Sequence, residues 1–289
     1  MGAIKDDDAC TYEKDLVKQF VEQTRLNKDP VHYGRALGMQ CETLGRLGLF
    51  EEALESLETI KTIYNIDTQH AEICKAYGSD RVAQTFSHSV NWYTMLGKTD
   101  KVFETCHYIT EELAPKSDPK NVHNSFCLIY STIIAMKENN APLEARDALI
   151  SLVVEPFDEH FGSGGTTFSK PLFYPILMLL DLQGHQDEQI EKIDEYLEWA
   201  LNESNFSLCS AALENAWAGF CVSPNTLLGE ICYYIAKRPE GLNHRAQLIR
   251  SGMSLVERTV EVMQLPFANM YARKKLDMLK RFEENCNTS

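Results

Sequence analysis

Helical hairpins joined by recurring turns are the feature that most constrains the fold of this chain. Residues 44–54 read LGRLGLFEEAL and predict the turn between two antiparallel helices. Gly48 can close the first helix, because a residue without Cβ enters the left-handed conformation at little cost. Glu51 and Glu52 suit the positive N-terminal end of the second helix. Ala53 leaves room for the partner helix to approach closely.

The same turn recurs along the chain and defines a repeat. The four turn residues, with successive spacings of 49, 43 and 44 residues, are Gly48, Gly97, Asn140 and Gly184. When the hairpins are aligned on these turns, their first helices share large apolar positions, namely Leu37, Phe86, Ile129 and Phe173. Each hairpin has an apolar face too large to bury alone, so neighbouring hairpins must stack. The sequence therefore predicts an all-α fold, and no segment alternates as a β-strand does.

Residues 46–54 resemble the centre of a tetratricopeptide repeat, and residues 95–102 form a weaker second copy. The resemblance covers about residues 30–200. It implies a right-handed α-solenoid of stacked antiparallel helical hairpins. The family's repeat is about 34 residues long, and the longer units of this chain resemble the arrays attached to signalling ATPases. A helical bundle without repeats is the alternative fold.

The resemblance also implies a function and a set of contact residues. In tetratricopeptide repeat proteins the first helices line a concave groove that binds a segment of a partner protein. The chain is therefore expected to be a non-catalytic scaffold with a protein or peptide partner. The side chains at the groove positions are Arg35, Glu42, Arg46, Gln84, His88, Asn91, Tyr130, Lys137, Tyr174 and Asp181. Gly38 and Glu42 stand where the chaperone-tail clamp of some family members needs a cation and an amide, so we reject that ligand.

Composition restricts the partner and the compartment. The chain has 28 basic and 42 acidic residues, a formal charge of −14, which argues against nucleic acids and anionic membranes as partners. No stretch approaches the roughly 20 apolar residues that span a bilayer. The nine cysteines are odd in number, and none forms a Cys-x-x-Cys pair. That pattern is typical of reduced thiols inside the cell, and we predict a cytoplasmic protein.

Motifs for cofactors, metals and catalysis are missing from the sequence. Residues 162–167, GSGGTT, lack the order and the preceding strand of a phosphate-binding loop, and they predict a flexible connection. Glu104 and His107 form a lone Glu-x-x-His, whereas a di-iron bundle needs two such pairs. We therefore predict no cofactor, no metal and no enzymatic activity. Two alternatives remain, a sensor array that works with a nucleotide-binding signalling ATPase or kinase, and an all-α enzyme with a pocket near residues 156–171.

The predicted organisation has three parts. Residues 1–10 form a disordered acidic tail, residues 11–204 form the repeat array, and residues 205–289 continue it and end in capping helices. Asp29-Pro30 and Asp118-Pro119 predict helix starts, since Asp caps a helix and Pro fits its first turn. The final helix carries five basic residues, at 273–275 and 280–281. It is interpreted as a cap with a solvated face, with a basic docking helix as the alternative.

Overall fold

A computed structural model describes residues 6–27, 29–78, 80–116, 122–161, 166–185, 190–202, 204–208, 222–262 and 266–287. It confirms the all-α prediction, being 89% helical with no strand among those residues. The helices are α1 (Asp6–Leu26), α2 (Pro30–Arg46), α3 (Phe50–Ile63), α4 (Ile66–Tyr77), α5 (Arg81–Met95), α6 (Thr99–Tyr108), α7 (Val122–Glu138), α8 (Pro142–Leu149), α9 (Glu155–Phe161), α10 (Thr166–Gly184), α11 (Ile193–Leu201), α12 (Pro224–Lys237), α13 (Arg245–Val262) and α14 (Pro266–Asn287). The π-helical turns Ile109–Leu113 and Ile150–Val154 continue α6 and α8, and 3₁₀ turns cover Ala114–Lys116 and Leu242–His244.

Local sequence sets the ends of the early helices. The Asp29 carboxylate accepts hydrogen bonds from the backbone N–H groups of Val31, at 3.0 Å, and His32, at 3.1 Å, so the predicted cap of α2 is confirmed. Its counterpart at Asp118 lies outside the described residues. Helix α1 begins at Asp6, earlier than the predicted end of the acidic tail, and residues 1–5 lie outside the described part of the chain.

Three of the four predicted turn residues adopt the left-handed backbone. Gly48, Gly97 and Asn140 have φ angles of 78°, 67° and 66°, and each lies directly between the two helices of a hairpin. Gly184, the fourth, is the last residue of α10, so the helix ends there as predicted, but this glycine does not have a positive φ. A Cβ atom there would lie 2.4 Å from Leu143 Cδ2. This glycine therefore lets α8 and α10 approach closely.

The chain divides into two compact units. The first comprises Met1–Asn140 with Ser151–Val153, and the second comprises Ala141–Ile150 with Val154–Ser289. The predicted boundary between residues 204 and 205 lies inside the second unit. None of the described helices combines the length and the apolar character that crossing a membrane requires.

In the first unit, the first helices of successive hairpins pack side by side. Helix α5 packs against both α2 and α7, while α1 covers α2. Three glycines of α2 face α5, and Cβ atoms added to them would meet successive residues of that helix. The pairs are Gly34 with Val82, Gly38 with Thr85 and Gly45 with Trp92. The two residues of each pair are separated by a nearly constant 47 or 48 positions, so residue numbers increase in the same direction along both helices, and α2 and α5 run parallel.

In the second unit, α12 forms the centre of the packing. It contacts α10, α11, α13 and α14. It crosses α13 where Gly229 and Gly252 meet, since a Cβ at Gly229 would lie 3.1 Å from the Gly252 carbonyl oxygen. Glu230 of α12 is fully buried and faces Lys275 of α14, with 3.3 Å between Oε1 and Nζ. The Tyr271 hydroxyl donates a hydrogen bond of 2.9 Å to the same carboxylate, so the charge is compensated inside the unit.

Candidate binding surface on helices α2 and α5

The ten predicted groove residues do not share one open surface. Five of them are buried, namely Gln84, His88, Asn91, Tyr130 and Lys137. The other five are partly exposed, namely Arg35, Glu42, Arg46, Tyr174 and Asp181. The physical reason is the position of α5, which is buried at every residue from 82 to 93 because α2, α3, α6 and α7 all pack against it. The inner residues of α5 are therefore covered by neighbouring helices.

The structure does bring two predicted residues together across the α2–α5 contact. Glu42 Oε1 lies 4.0 Å from His88 Nε2, and Glu42 Oε2 lies 3.3 Å from Arg81 Nη1. Sequence reasoning missed Arg81, although it precedes His88 by seven residues. Two residues seven apart lie on the same face of a helix, and that spacing was the signal that could have identified it.

Burial determines the charge state of this cluster. Desolvation lowers the pKa of His88, the nearby Glu42 carboxylate opposes that effect, and Arg81 and Arg46 lower the pKa further. The imidazole is therefore neutral at pH 7. The charges that remain belong to the arginines and to Glu42.

Arginines dominate the accessible part of α2 and α5. Between them the two helices carry Arg35, Arg46 and Arg81 against one carboxylate, that of Glu42, in a chain of net charge −14. Arg35 stacks on the ring of Tyr77, with 3.9 Å from Cζ to the ring centroid. Its Nη1 is buried and makes no hydrogen bond within the described part of the chain. We call the set Arg35, Glu42, Arg46, Arg81 and His88 the arginine face.

Neighbouring carboxylates neutralise only part of this charge. Arg46 forms an ion pair with Glu13 of α1, and Arg81 pairs with Glu42. Both pairs are partly exposed to solvent, where an ion pair contributes about 0–1 kcal/mol. A carboxylate from another molecule can therefore replace either partner at small cost.

The two predicted residues of the second unit have structural partners. The Tyr174 hydroxyl donates a hydrogen bond of 2.7 Å to Glu195 of α11. Asp181 lies 2.6 Å from Arg146 Nε of α8 and accepts a hydrogen bond of 2.7 Å from the Tyr196 hydroxyl. These contacts connect α10 to α8 and α11, so both residues contribute to the packing of their own unit.

One constellation resembles a catalytic triad in composition but not in geometry. His70 Nδ1 lies 2.8 Å from Asp80 Oδ2, and Cys74 Sγ lies 3.7 Å from His70 Nε2. The same sulfur lies 4.0 Å from Nδ1, so it sits beside the ring and not along the Nε2 lone pair. A nucleophile and its base need an aligned hydrogen bond, which this arrangement does not provide.

Other chemistry receives no support from the described residues. No group of three His, Cys, Asp or Glu side chains among them could hold a metal ion. Residues 162–165 of the predicted loop, and with them part of the pocket considered near 156–171, lie outside the described residues, while Thr166 and Thr167 begin α10. Comparison of the chain with protein-family models, curated proteins and solved structures finds no match.

Proposed function

We propose that this chain is a cytoplasmic, non-catalytic scaffold of tetratricopeptide-like hairpins whose arginine face binds an acidic segment of a partner protein. The observation that supports this proposal is the packing of α2 against α5, in which Arg81 pairs with Glu42 of α2. Arg35, Glu42 and Arg46 follow one another at intervals of seven and four residues, the spacing of one helix face. Stacked first helices are the elements with which helical repeat proteins bind extended or helical segments.

Electrostatics favours an acidic partner segment. The arginine face is positive in a chain whose net charge is −14, and a guanidinium group can bind a carboxylate through two parallel hydrogen bonds. Arg35 stacks on Tyr77, and the ring restricts the orientation of its guanidinium group. A restricted donor loses less conformational entropy on binding than a mobile one.

Charge reversal on the arginine face tests the proposal. The variant Arg35→Glu/Arg46→Glu and a control, Lys75→Glu/Arg250→Glu, make the same change in net charge, and both control residues are exposed outside the face. Each is used with the wild-type protein in quantitative affinity purification followed by mass spectrometry. Partners captured directly are then represented by synthetic peptides of their acidic segments, and the Kd of each peptide is measured.

The expected result is loss of the same partners from the arginine-face variant alone, with a peptide Kd at least about tenfold weaker, since two charge-assisted contacts are removed. Identical partner sets for both variants would contradict the proposed surface. Retention of an equal peptide affinity by Arg35→Glu/Arg46→Glu would contradict it as well. Circular dichroism confirms that all three proteins are folded.

A further inference from the structure

A second feature of the first unit lies apart from the arginine face. A cavity of about 490 Å³ opens between α3, α5 and α6. Its lining residues are Lys61, Tyr64, Phe86, Glu104, Thr105, His107, Tyr108, Glu111 and Glu112. The volume falls within the range of small-molecule sites, about 300–1,000 Å³. No lining residue belongs to the arginine face, so a ligand here does not depend on the scaffold proposal.

The inner part of the cavity is aromatic. Phe86 is 2% exposed and lies between two tyrosines, with ring centroids 6.2 Å from Tyr64 and 5.2 Å from Tyr108. The Tyr64 hydroxyl donates a hydrogen bond of 2.6 Å to Asp80, which holds that ring in place. Burial raises the pKa of both tyrosines, so both phenols are neutral. Such rings bind methylene groups by apolar contact, and their faces attract cations.

The rim of the cavity is acidic and extended along one helix. Glu104, Glu111 and Glu112 lie on α6 and the π-helical turn that follows it, against one lysine, Lys61, from α3. Glu112 follows Glu104 by eight positions, which corresponds to a rise of about 12 Å along the helix. Tyr108 lies at the middle of this span, so carboxylates at both ends flank an aromatic centre.

A π-helical turn forms one end of the cavity wall. Adjacent residues line the cavity along the whole wall, since Glu104 with Thr105 and His107 with Tyr108 line it from the regular part of α6. Residues 109–113 form a π turn, and both Glu111 and Glu112 line the cavity. Single π turns inside α-helices occur frequently at functional sites.

The lysines near the rim do not close the site to a cation. Lys61 is engaged by Glu58, with 2.7 Å between Nζ and Oε1. Glu104 pairs with Lys101 at 2.5 Å, and Glu112 pairs with Lys116 at 3.2 Å. These pairs are at the surface, where they stabilise the protein little and exchange partners readily.

We propose that this cavity binds a linear aliphatic polyamine, an unbranched chain of methylene groups that carries two or more ammonium groups. The methylene groups lie on Tyr64, Phe86 and Tyr108, and the ammonium groups lie at the two acidic ends, Glu104 and Glu111–Glu112. A ligand with one ammonium group reaches only one end. An anionic ligand is repelled by three carboxylates against one lysine.

Isothermal titration calorimetry with the full-length protein and spermidine, at low ionic strength, tests the site. Saturable binding of one spermidine per chain is expected, and 1,8-octanediol, a chain of similar length without charge, does not bind. The variant Glu104→Gln/Glu111→Gln weakens the Kd by about tenfold, since it removes one carboxylate from each acidic end of the cavity. The control Glu51→Gln/Glu55→Gln, two exposed carboxylates of α3 outside the lining, keeps the wild-type Kd.

Three outcomes would overturn the proposal. Equal weakening by the two glutamine pairs would mean that spermidine is attracted by the net charge of the chain and not by the cavity. Equal binding of octanediol would mean that the ammonium groups make no contribution. Absence of saturation in the wild-type protein would exclude the site. Glutamine keeps the size of glutamate, and circular dichroism of each variant verifies that the result reports binding and not unfolding.

Discussion

Close approach of α2 and α5 makes a specific prediction about Gly45. A Cβ atom added there would lie 2.4 Å from three atoms of the Trp92 indole, which is 1% exposed and cannot rotate away. Overpacking of this kind costs about 1–3 kcal/mol. Replacing a mid-helix glycine by alanine returns about 0.5–1 kcal/mol of backbone entropy. We therefore expect Gly45→Ala to lower the free energy of unfolding by about 1–2 kcal/mol.

Gly34 provides a matched control in the same helix. It is also buried and also faces α5, but its added Cβ would lie 3.7 Å from Val82, an ordinary van der Waals contact. Gly34→Ala should therefore reduce the loss of backbone entropy on folding without introducing a steric clash. We expect it to raise the free energy of unfolding by about 0.5–1 kcal/mol. The sign of the effect differs between the two glycines only because of what each one contacts.

Urea unfolding followed by circular dichroism measures both variants against the wild-type protein. A smaller ring in the double variant Gly45→Ala/Trp92→Phe should recover part of the loss, which a double-mutant cycle records as a favourable coupling between the two positions. Equal stability of Gly45→Ala and Gly34→Ala would refute the close packing of Trp92 on Gly45. It would also remove one of the three contacts from which the parallel register of α2 and α5 is inferred.

Three further predictions concern other parts of the chain. Lys275→Met should destabilise the protein by about 3–5 kcal/mol in urea unfolding, because it removes the Lys275 ammonium group from beside the buried Glu230 carboxylate. Glu230→Gln in that background should recover much of the loss. Gly97→Ala should cost about 1–2 kcal/mol from backbone strain alone, since φ is 67° and no atom lies within 4 Å of the added Cβ, whereas a neutral result would contradict the left-handed turn. Because the pKa of His88 is lowered in the folded protein, the unfolded chain binds a proton that the folded chain does not. The free energy of unfolding should therefore fall as the pH drops below about 6.5, by up to about 1.4 kcal/mol per pH unit. That fall should be smaller in His88→Gln, and an unchanged pH profile would show that His88 is not its cause.

Turn positions could be predicted from the sequence because they depend on local conformation. A residue that follows a helix and begins another must often adopt a positive φ, which glycine and asparagine tolerate best, so Gly48, Gly97 and Asn140 were identified correctly. Gly184 shows the limit of that reasoning. Its missing Cβ makes room for Leu143, a residue of another helix, and the local sequence does not distinguish these two uses of glycine.

Exposure of the groove could not be predicted in the same way. Aligned hairpins indicate which face of α5 points toward α2, but the burial of Gln84, His88 and Asn91 depends on how many helices surround α5. The glycines of α2 indicate the face that contacts α5 more reliably than the alignment of the hairpins on their turn residues does. Small residues at 34, 38 and 45 mark the face on which the next first helix lies, and they place the contact face before any groove is assigned.

Burial of α5 restricts how a partner segment can bind to the arginine face. Arg81, the first residue of α5, is exposed and forms an ion pair with Glu42 of α2. The positive end of the α5 helix dipole adds to the positive potential around its guanidinium group. His88 is neutral and covered, so it does not touch the partner, and the 4.0 Å between its Nε2 and Glu42 Oε1 is too long for a hydrogen bond. The remaining contacts run along α2 from Arg35 to Arg46, a rise of about 16 Å. An extended segment of about five residues covers that distance, so the proposed binding of an acidic segment predicts a partner with two carboxylates four or five residues apart.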